Sequence, residues 1–150
     1  MDNNKSTLQK KLEHIEAFCR EAGFKVTHQR LEIFRELALA SDHPTAETLY
    51  KRLLKIMPTL SLDTVYRTLS TFEEHGLVSR VQTTESHARF EAEMEQHHHA
   101  ICSECGEITD FQWSALGKIQ LPSKIASWGR IDNQQITLHG VCEKCELKKN

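Results

Sequence analysis

Four of the five cysteines fall into two Cys-x-x-Cys pairs, Cys102 with Cys105 and Cys142 with Cys145. Two such pairs supply the four sulfurs that zinc takes in a closed tetrahedral site, and Gly106 suits the tight turn that one pair needs. The alternative is a redox use of the thiols, which usually needs one exposed motif in a βαβ setting that this sequence does not show. We therefore predict a structural zinc ion that stabilises the fold and takes no part in catalysis.

A second group of residues offers the nitrogen and oxygen donors that suit Fe(II), Mn(II) or Zn(II). The run His97, His98 and His99 lies in a predicted strand, where side chains alternate between faces, so His97 and His99 should share one face. Glu91 and Asp110, expected on neighbouring strands, could add carboxylates. A solvated patch and an expression tag are the alternatives, but a tag lies at a terminus and this run is internal.

The elements that would position these residues begin with four segments of helical periodicity in the first half of the chain. Their predicted N-terminal caps are Ser6 (in a Ser-x-x-Gln pattern with Gln9), Thr27, Thr45 and Ser61. Residues 77–83 and 88–92 are short and partly β-branched, which predicts a hairpin. Helices followed by a hairpin are typical of a winged helix-turn-helix module, although a generic α+β domain would fit the same pattern.

The second half predicts a small domain of strands and one helix. Apolar segments at 100–101 and 108–111, a short helix near 114–127 and a last strand at 136–141 would place the two cysteine pairs at its ends. The predicted fold class is therefore α+β, with a winged helix-turn-helix domain at residues 1–92 and a smaller α/β domain at residues 93–150.

Composition and charge give little direct indication of function. The 150 residues are 39% hydrophobic and carry a formal net charge of −2, with 13 basic and 13 acidic residues in 1–92 and 6 and 8 in 93–150. If DNA is bound, locally placed cations must bind it. Because no apolar run resembles a signal peptide or approaches the roughly 20 residues that span a bilayer, we expect a soluble, cytoplasmic protein.

In combination, the motifs resemble those of the ferric uptake regulator (Fur) family of metalloregulators, in order and over nearly the whole chain. The matching pieces are Thr27-x-Gln29-Arg30, His43-Pro44-Thr45-Ala46-Glu47-x-Leu49-Tyr50, Leu62-x-Thr64-Val65-Tyr66-Arg67-x-Leu69, Glu74-x-Gly76-Leu77-Val78, Arg89-Phe90-Glu91, His97-x-His99-x-Ile101-Cys102-x-x-Cys105-Gly106 and Gly140-x-Cys142-x-x-Cys145. The resemblance implies a homodimer that binds a palindromic DNA operator through the first domain and dimerises through the second, with a hinge near residues 92–96.

The resemblance also implies which residues contact DNA. The helix that carries Thr64, Tyr66 and Arg67 would enter the major groove, where Arg67 can bind phosphate or guanine and Tyr66 can meet a thymine methyl. A core aromatic is the alternative for Tyr66. Phosphate contacts would come from three residues near a helix N-terminus, Lys25, Thr27 and Arg30.

The family's sensing site corresponds to His43, Glu91, His97, His99 and Asp110, so one Fe(II) or Mn(II) would tie the two domains together and favour the form that binds DNA. At the position of Asp110, peroxide sensors of the family also carry aspartate, where iron sensors usually have glutamate. At the position of Glu91, iron sensors tend to carry glutamate, where peroxide sensors usually have aspartate. Zinc sensors often use a cysteine near the hinge, and this sequence has none there. We favour a peroxide-responsive repressor, with an iron-uptake repressor as the alternative.

Two other classes of function compete with a repressor. An enzyme would use the histidine-carboxylate cluster as an iron oxygenase or zinc deaminase site, but the His-x-Glu and Pro-Cys-x-x-Cys signature of deaminases is missing and no motif implies a substrate pocket. A zinc-stabilised adaptor would bind protein with its winged helix. We expect no enzymatic activity.

Overall fold

The computed structural model describes residues 2–93 and 95–150, and the chain divides into two compact units, Met1–Met94 and Glu95–Asn150. Both units combine helices with a small sheet, which confirms the predicted α+β class. Among the described residues, no helix is both long enough and apolar enough to cross a membrane.

Four helices and a two-stranded sheet make up the first unit. They are α1 (Asp2–Glu21), α2 (His28–Leu39), α3 (Ala46–Leu53), α4 (Leu62–Glu74), β1 (Ser79–Val81) and β2 (Arg89–Glu91). The strands are antiparallel, with Arg80 opposite Phe90, so the hairpin follows α4 as the sequence predicted. This order of elements is that of a winged helix-turn-helix domain.

Side-chain caps fix where three of these helices begin. The hydroxyls of Thr27, Thr45 and Ser61 each accept a hydrogen bond from the backbone N–H three residues later, at 3.1 to 3.2 Å. The predicted cap at Ser6 was wrong, because α1 already begins at Asp2 and no proline or glycine interrupts it before residue 6. Gln9 instead donates to Glu13 within the helix at 3.0 Å.

The core of the first unit is formed by the apolar faces of the helices and the inner face of the hairpin. Its fully buried members include Ile15, Ile33, Leu49 and Val65. Burial of each such aliphatic side chain is worth about 1.5–3 kcal/mol, so this core supplies a rigid base for the surface residues of α4.

The second unit is built on a three-stranded sheet in the order β4-β3-β5. The strand β3 (His98–Cys102) is antiparallel to β4 (Ile108–Phe111) and parallel to β5 (Thr137–Gly140), and α6 (Glu143–Lys149) follows. The single helix predicted near 114–127 was wrong. A 3-10 helix (Ser114–Lys118) and α5 (Ser123–Ala126) stand there instead, because Pro122 cannot continue a helix and immediately precedes α5.

Candidate metal centres and nucleic-acid interface

The four cysteines of the two pairs converge at one end of the three-stranded sheet. Cys102 ends β3, Cys105 lies in the turn before β4, Cys142 precedes α6 and Cys145 lies within it. All four sulfurs lie within 4.8 Å of one another, and Cys105 Sγ and Cys142 Sγ are 3.8 Å apart. Four ligands at the usual Zn–S distance of about 2.3 Å form a tetrahedron with edges of about 3.8 Å, so the cluster fits zinc.

Backbone hydrogen bonds prepare one of these sulfurs to carry negative charge. The Cys142 N–H donates to Cys102 Sγ at 3.3 Å, and this amide and that of Cys105 lower the pKa of the Cys102 thiol to about 6. A hydrogen bond with the Cys142 side chain and burial raise the pKa of Cys145 to about 12. Because four thiolates so close together repel one another, a divalent cation that replaces their protons relieves this repulsion.

Three donors of the second unit lie together on one face of its sheet. His97 precedes β3, His99 lies on β3, and Asp110 lies opposite His99 on β4. The two Nε2 atoms of His97 and His99 are 3.1 Å apart, and Asp110 Oδ1 lies 3.4 Å from His99 Nε2 and 3.9 Å from His97 Nε2. His97 donates through Nδ1 to the Glu95 carbonyl at 2.8 Å, which leaves Nε2 with a lone pair for a metal.

These separations match the edges of a coordination polyhedron. Two donors that bind one ion at about 2.1 Å lie about 3.0 Å apart at a right angle and about 3.4 Å apart at the tetrahedral angle. The His97–His99 and His99–Asp110 separations fall at these values, so the three side chains can bind one ion with little rearrangement. Their nitrogen and oxygen donors suit Fe(II), Mn(II) or Zn(II).

His98 makes different contacts from those of its neighbours His97 and His99. Its Nδ1 accepts a hydrogen bond from the Ile136 N–H at 3.1 Å, and its ring packs against Phe111 with centroids 5.4 Å apart. The buried imidazole therefore holds β3 to the segment that leads into β5. The predicted alternation of faces is consistent with this arrangement.

In the first unit, a second pair of donors lies between the α2–α3 loop and β2. His43 Nε2 is 3.2 Å from Glu91 Oε2, and both side chains are buried. Glu91 and Asp110 were expected on neighbouring strands, which was wrong: β2 pairs with β1 in the first unit, whereas β4 pairs with β3 in the second. Pairing between strands depends on the tertiary fold, which their order along the chain does not determine.

The backbone of His43 is held in an unfavourable conformation. Its φ of 49° lies in the left-handed region, which costs an L residue about 1 kcal/mol or more, and a residue before proline is usually extended. Arg89 of β2 donates from Nε to the His43 carbonyl and from Nη2 to the Asp42 carbonyl at 2.7 Å. The Phe90 N–H also donates to the Pro44 carbonyl at 3.0 Å. Arg89 and Phe90, which are neighbours on β2, therefore both hold the loop in place.

The predicted DNA-reading residues of α4 lie on its surface. Tyr66 is 41% exposed, which excludes the core-aromatic interpretation, and its hydroxyl donates to Glu47 of α3. This bond lowers the pKa of the Glu47 carboxyl and raises that of the Tyr66 hydroxyl. Arg67 is exposed and its Nε lies 2.9 Å from Asp63 Oδ2, while Thr64 is half-buried in the first turn of the helix.

Lys25, Thr27 and Arg30 cluster where α2 begins. Thr27 caps the helix, and Arg30 Nη1 donates to the Lys25 carbonyl at 2.8 Å while its guanidinium lies 5.9 Å from the centroid of the Phe24 ring. Thr27 and Arg30 therefore stabilise the local fold whatever else they bind, and the side chain of Lys25 is exposed.

Sequence reasoning missed three residues that orient the predicted site. Asp63 could have been found, since it lies four residues before Arg67 on one helix face. Glu47 and Arg89 belong to motifs quoted above, but their partners lie 19 and 46 residues away, and no local spacing indicates such pairs.

Comparison with known proteins shows the family to which the chain belongs. The family model "Ferric uptake regulator family" matches residues 21–139. The peroxide-responsive repressor PerR of Staphylococcus aureus is 32% identical over 142 residues, which cover 95% of this chain and 96% of that protein. The solved structure of the Helicobacter pylori ferric uptake regulator, described as having three functional metal binding sites, has a TM-score of 0.79 and 25% identity and covers 93% of both chains.

A second solved structure is the Pseudomonas aeruginosa ferric uptake regulator with manganese. It is 32% identical with a TM-score of 0.71 and covers 85% of this chain and 97% of that one. Sequence and structure thus agree over both units of the molecule, and the chain belongs to the ferric uptake regulator family.

Proposed function

We propose that this protein is a dimeric, metal-dependent DNA-binding repressor that senses peroxide through an Fe(II) or Mn(II) site and works in the cytoplasm. The observation that carries this function is the pair of unlike donor sets in one small unit: four cysteines that can enclose a zinc ion, and the His97, His99 and Asp110 cluster, whose Asp110 is 44% exposed at its side chain. A closed thiolate site stabilises a fold, whereas an open nitrogen and oxygen site can exchange its metal.

One regulatory ion would take ligands from both units. The first unit contributes His43 and Glu91, and the second contributes His97, His99 and Asp110. The three donors of the second unit would leave open coordination positions on such an ion, and His43 and Glu91 would fill two of them. An ion that recruits both sets would tie the units in one orientation and increase the population that binds DNA.

When bound, Fe(II) supplies the electrons that activate hydrogen peroxide, which Mn(II) does not readily do. The five ligand residues would hold the metal, and the short Asp110 side chain would leave a coordination position open to peroxide. As ligands of the same ion, His43 and His99 would be the imidazoles available for oxidation. Their oxidation would weaken the ligand set and release the units from each other.

DNA would be read by α4. A helix fits the major groove, where Tyr66 offers an exposed ring and hydroxyl, and Arg67 offers a guanidinium whose partner in the free protein is an exposed carboxylate. Phosphate contacts near the start of α2 would come from Lys25, Thr27 and Arg30. With the metals serving structure and regulation, we propose no enzymatic activity.

A gel-shift titration tests this function directly. A duplex is first selected from a randomised pool by the Mn(II)-loaded protein, and its binding is then measured with Mn(II) and with chelator at several salt concentrations. A repressor should bind only with metal and should weaken as salt rises. Absence of salt-dependent binding under all conditions would favour the protein-binding adaptor instead.

Replacing Arg67 with alanine is expected to weaken operator binding by on the order of 1–3 kcal/mol. If Arg67 reads a guanine, the loss should be concentrated at one base pair; if it holds phosphate, the loss should be uniform across sequences. Quantitative gel shifts on the selected duplex and its single-base variants distinguish the two. Unchanged affinity would contradict the proposal that α4 enters the major groove. The control is Arg35→Ala, which removes an exposed arginine from α2.

His97→Ala or His99→Ala is expected to weaken Mn(II) binding strongly, while His98→Ala should weaken it much less. The reason is that His98 Nδ1 accepts a hydrogen bond from the Ile136 N–H and its ring packs on Phe111. Loss of His98 should therefore lower the stability of the sheet. Isothermal titration with Mn(II) and thermal unfolding separate the two effects. An equal loss of Mn(II) affinity in all three variants would contradict the assignment of His98.

The second candidate is an iron-uptake repressor that responds to the Fe(II) level alone. Glu91 favours it, since iron sensors of the family tend to carry glutamate there, and solved Fur structures resemble this chain. Both functions share the same site and DNA interface, so only the response to peroxide separates them.

A further inference from the structure

Arg89 contacts both an acidic side chain and the backbone of the loop that carries His43. Its guanidinium donates to two successive backbone carbonyls, those of His43 and Asp42, and its Nη1 also lies 3.2 Å from Glu85. The side chain is only 17% exposed. A planar fork of donors can bind two carbonyls at fixed positions, which a lysine ammonium cannot reproduce.

The loop needs such a support because its conformation is not one that the chain adopts by itself. His43 stands at a φ of 49° immediately before Pro44, and its carbonyl direction follows from that left-handed backbone. If the two hydrogen bonds from Arg89 are lost, the backbone preference of a non-glycine residue before proline favours the extended conformation. Relaxation of the loop would move the imidazole relative to Glu91.

Three consecutive residues of β2 contact the loop at residues 42–44. Arg89 holds the carbonyls of Asp42 and His43, the Phe90 N–H holds the Pro44 carbonyl, and the Glu91 carboxylate lies 3.2 Å from His43 Nε2. Alternation along the strand places the Arg89 and Glu91 side chains on the same side, so both reach the same loop. The geometry of the His43 and Glu91 pair is therefore set by residues of one short strand.

We infer that Arg89 is a positioning residue for the regulatory metal: it holds His43 in the left-handed conformation that aims Nε2 at the ligand position beside Glu91. This inference rests on the proposed function, because it assumes that His43 and Glu91 bind the ion. Under this inference Arg89 does not bind the metal itself. Its hydrogen bonds to the loop are expected to set the affinity for metal, and thereby the metal concentration at which DNA is bound.

The test measures Mn(II) affinity of the full-length, zinc-loaded protein by competition with a fluorescent chelator. Arg89→Ala should weaken Mn(II) binding by about 10-fold to 100-fold, the usual effect of removing a partner that orients a ligand. Arg89→Lys keeps the positive charge but replaces the planar fork with a single ammonium group, so its Mn(II) affinity should fall between those of Arg89→Ala and wild type. It also keeps the test decisive should Arg89→Ala fail to fold.

Arg80→Ala is the matched control. Arg80 lies opposite Phe90 on β1, pairs with Glu73 at 2.8 Å, and stacks its guanidinium over the Phe90 ring, but its described contacts do not include the His43 loop. It removes an arginine from the same hairpin and should leave Mn(II) affinity unchanged. The zinc content of Arg89→Lys and Arg80→Ala should match that of wild type. Their thermal unfolding, measured with zinc bound and without Mn(II), should match it as well.

A double-substitution cycle with His43→Ala separates positioning from a general structural role. If Arg89 acts through His43, the Arg89→Ala change should cost Mn(II) affinity in the wild-type background and none in the His43→Ala background. The imidazole signals of His43 in NMR spectra without Mn(II) should shift in Arg89→Ala but not in Arg80→Ala.

Three results would overturn the inference. Wild-type affinity in Arg89→Ala, or an equal loss in both backgrounds, would contradict it while leaving the proposed function intact, provided that His43→Ala itself weakens Mn(II) binding. Normal Mn(II) affinity in His43→Ala would overturn the ligand assignment of the proposed function, and the role of Arg89 with it.

Discussion

Cys102→Ser and Cys142→Ser are each expected to lose zinc, the folded second unit and the dimer together. Each change removes one of four sulfurs that lie within 4.8 Å of one another and join β3 to α6. Structural zinc binding contributes about 10–16 kcal/mol in small zinc domains, which is comparable with or larger than the total stability of most domains. Metal analysis, thermal unfolding and sedimentation velocity measure the three losses.

Cys19→Ala provides the control for loss of a cysteine as such. Cys19 is buried in the core of the first unit and is not one of the four cysteines whose sulfurs cluster in the second unit, so it cannot serve as a ligand of that zinc ion. The variant should keep one zinc per chain and remain dimeric, with only the modest destabilisation of a small core truncation. A Cys102→Ser protein that is a dimer of normal stability without zinc would contradict the structural assignment.

The parts of the fold that the sequence predicted well are those that local chemistry decides. The caps at Thr27, Thr45 and Ser61 were found because a hydroxyl three residues before a free N–H is a local pattern. The convergence of the cysteines followed from spacing in the same way. Ser6 had the same pattern and failed, since the preceding residues already continue the helix.

What the sequence could not provide is the pairing of distant backbone and side-chain groups. The sequence predicted Glu91 and Asp110 on neighbouring strands, yet their strands belong to different sheets. The hydrogen bonds of Arg89 run to backbone carbonyls, which carry no residue identity and so leave no trace in the sequence. The left-handed backbone of His43 was equally invisible, because a histidine before proline usually indicates extended chain.

Tyr66 shows where a choice between two patterns needed the structure. Its spacing from Leu69 fits a core position as well as a DNA contact. The helix turns so that Leu69 is buried and Tyr66 reaches Glu47 on α3 at the surface. Three residues turn a helix by about 300°, so Tyr66 and Leu69 lie about 60° apart on α4, and helical periodicity in the sequence does not show which of them faces the core.

Brief exposure to hydrogen peroxide is expected to abolish DNA binding by the Fe(II)-loaded protein and to leave the Mn(II)-loaded protein bound. The physical reason is that Fe(II) readily reduces peroxide and Mn(II) does not, while both suit the same nitrogen and oxygen donors. Gel shifts under anaerobic conditions, before and after peroxide with added catalase as a quench, measure the response of each form.

In a peroxide sensor, this chemistry would leave a permanent mark on the chain. The O–O bond of peroxide would break, one oxygen would bond to an imidazole carbon of His43 or His99, and the other would leave as water. The ring would be oxidised by two electrons and the peroxide reduced by two, so the iron would show no net change, and the hydrogen of the broken C–H bond would stay on the product. Mass spectrometry should therefore find one added oxygen atom in a peptide that contains one of these histidines, and only after Fe(II) loading.

Asp110→Glu is the matched variant for this prediction. The longer side chain keeps the carboxylate and its charge but reaches further towards the ion, so it should fill the position at which peroxide approaches. We expect the variant to bind Mn(II) and DNA and to lose much of its peroxide response. The measurement is the concentration of peroxide that releases half of the Fe(II)-loaded protein from DNA.

The same experiment decides between the two candidate functions because they differ in what controls DNA binding. In a peroxide sensor, release from DNA follows the amount of oxidised histidine at constant Fe(II). In an iron-uptake repressor, release follows the free Fe(II) concentration, and peroxide has no effect beyond oxidising Fe(II) in solution. If DNA binding persists after peroxide with no oxidised histidine, and chelation of Fe(II) alone reverses it, the protein reports iron, and Glu91 rather than Asp110 is the better guide to its sensing site.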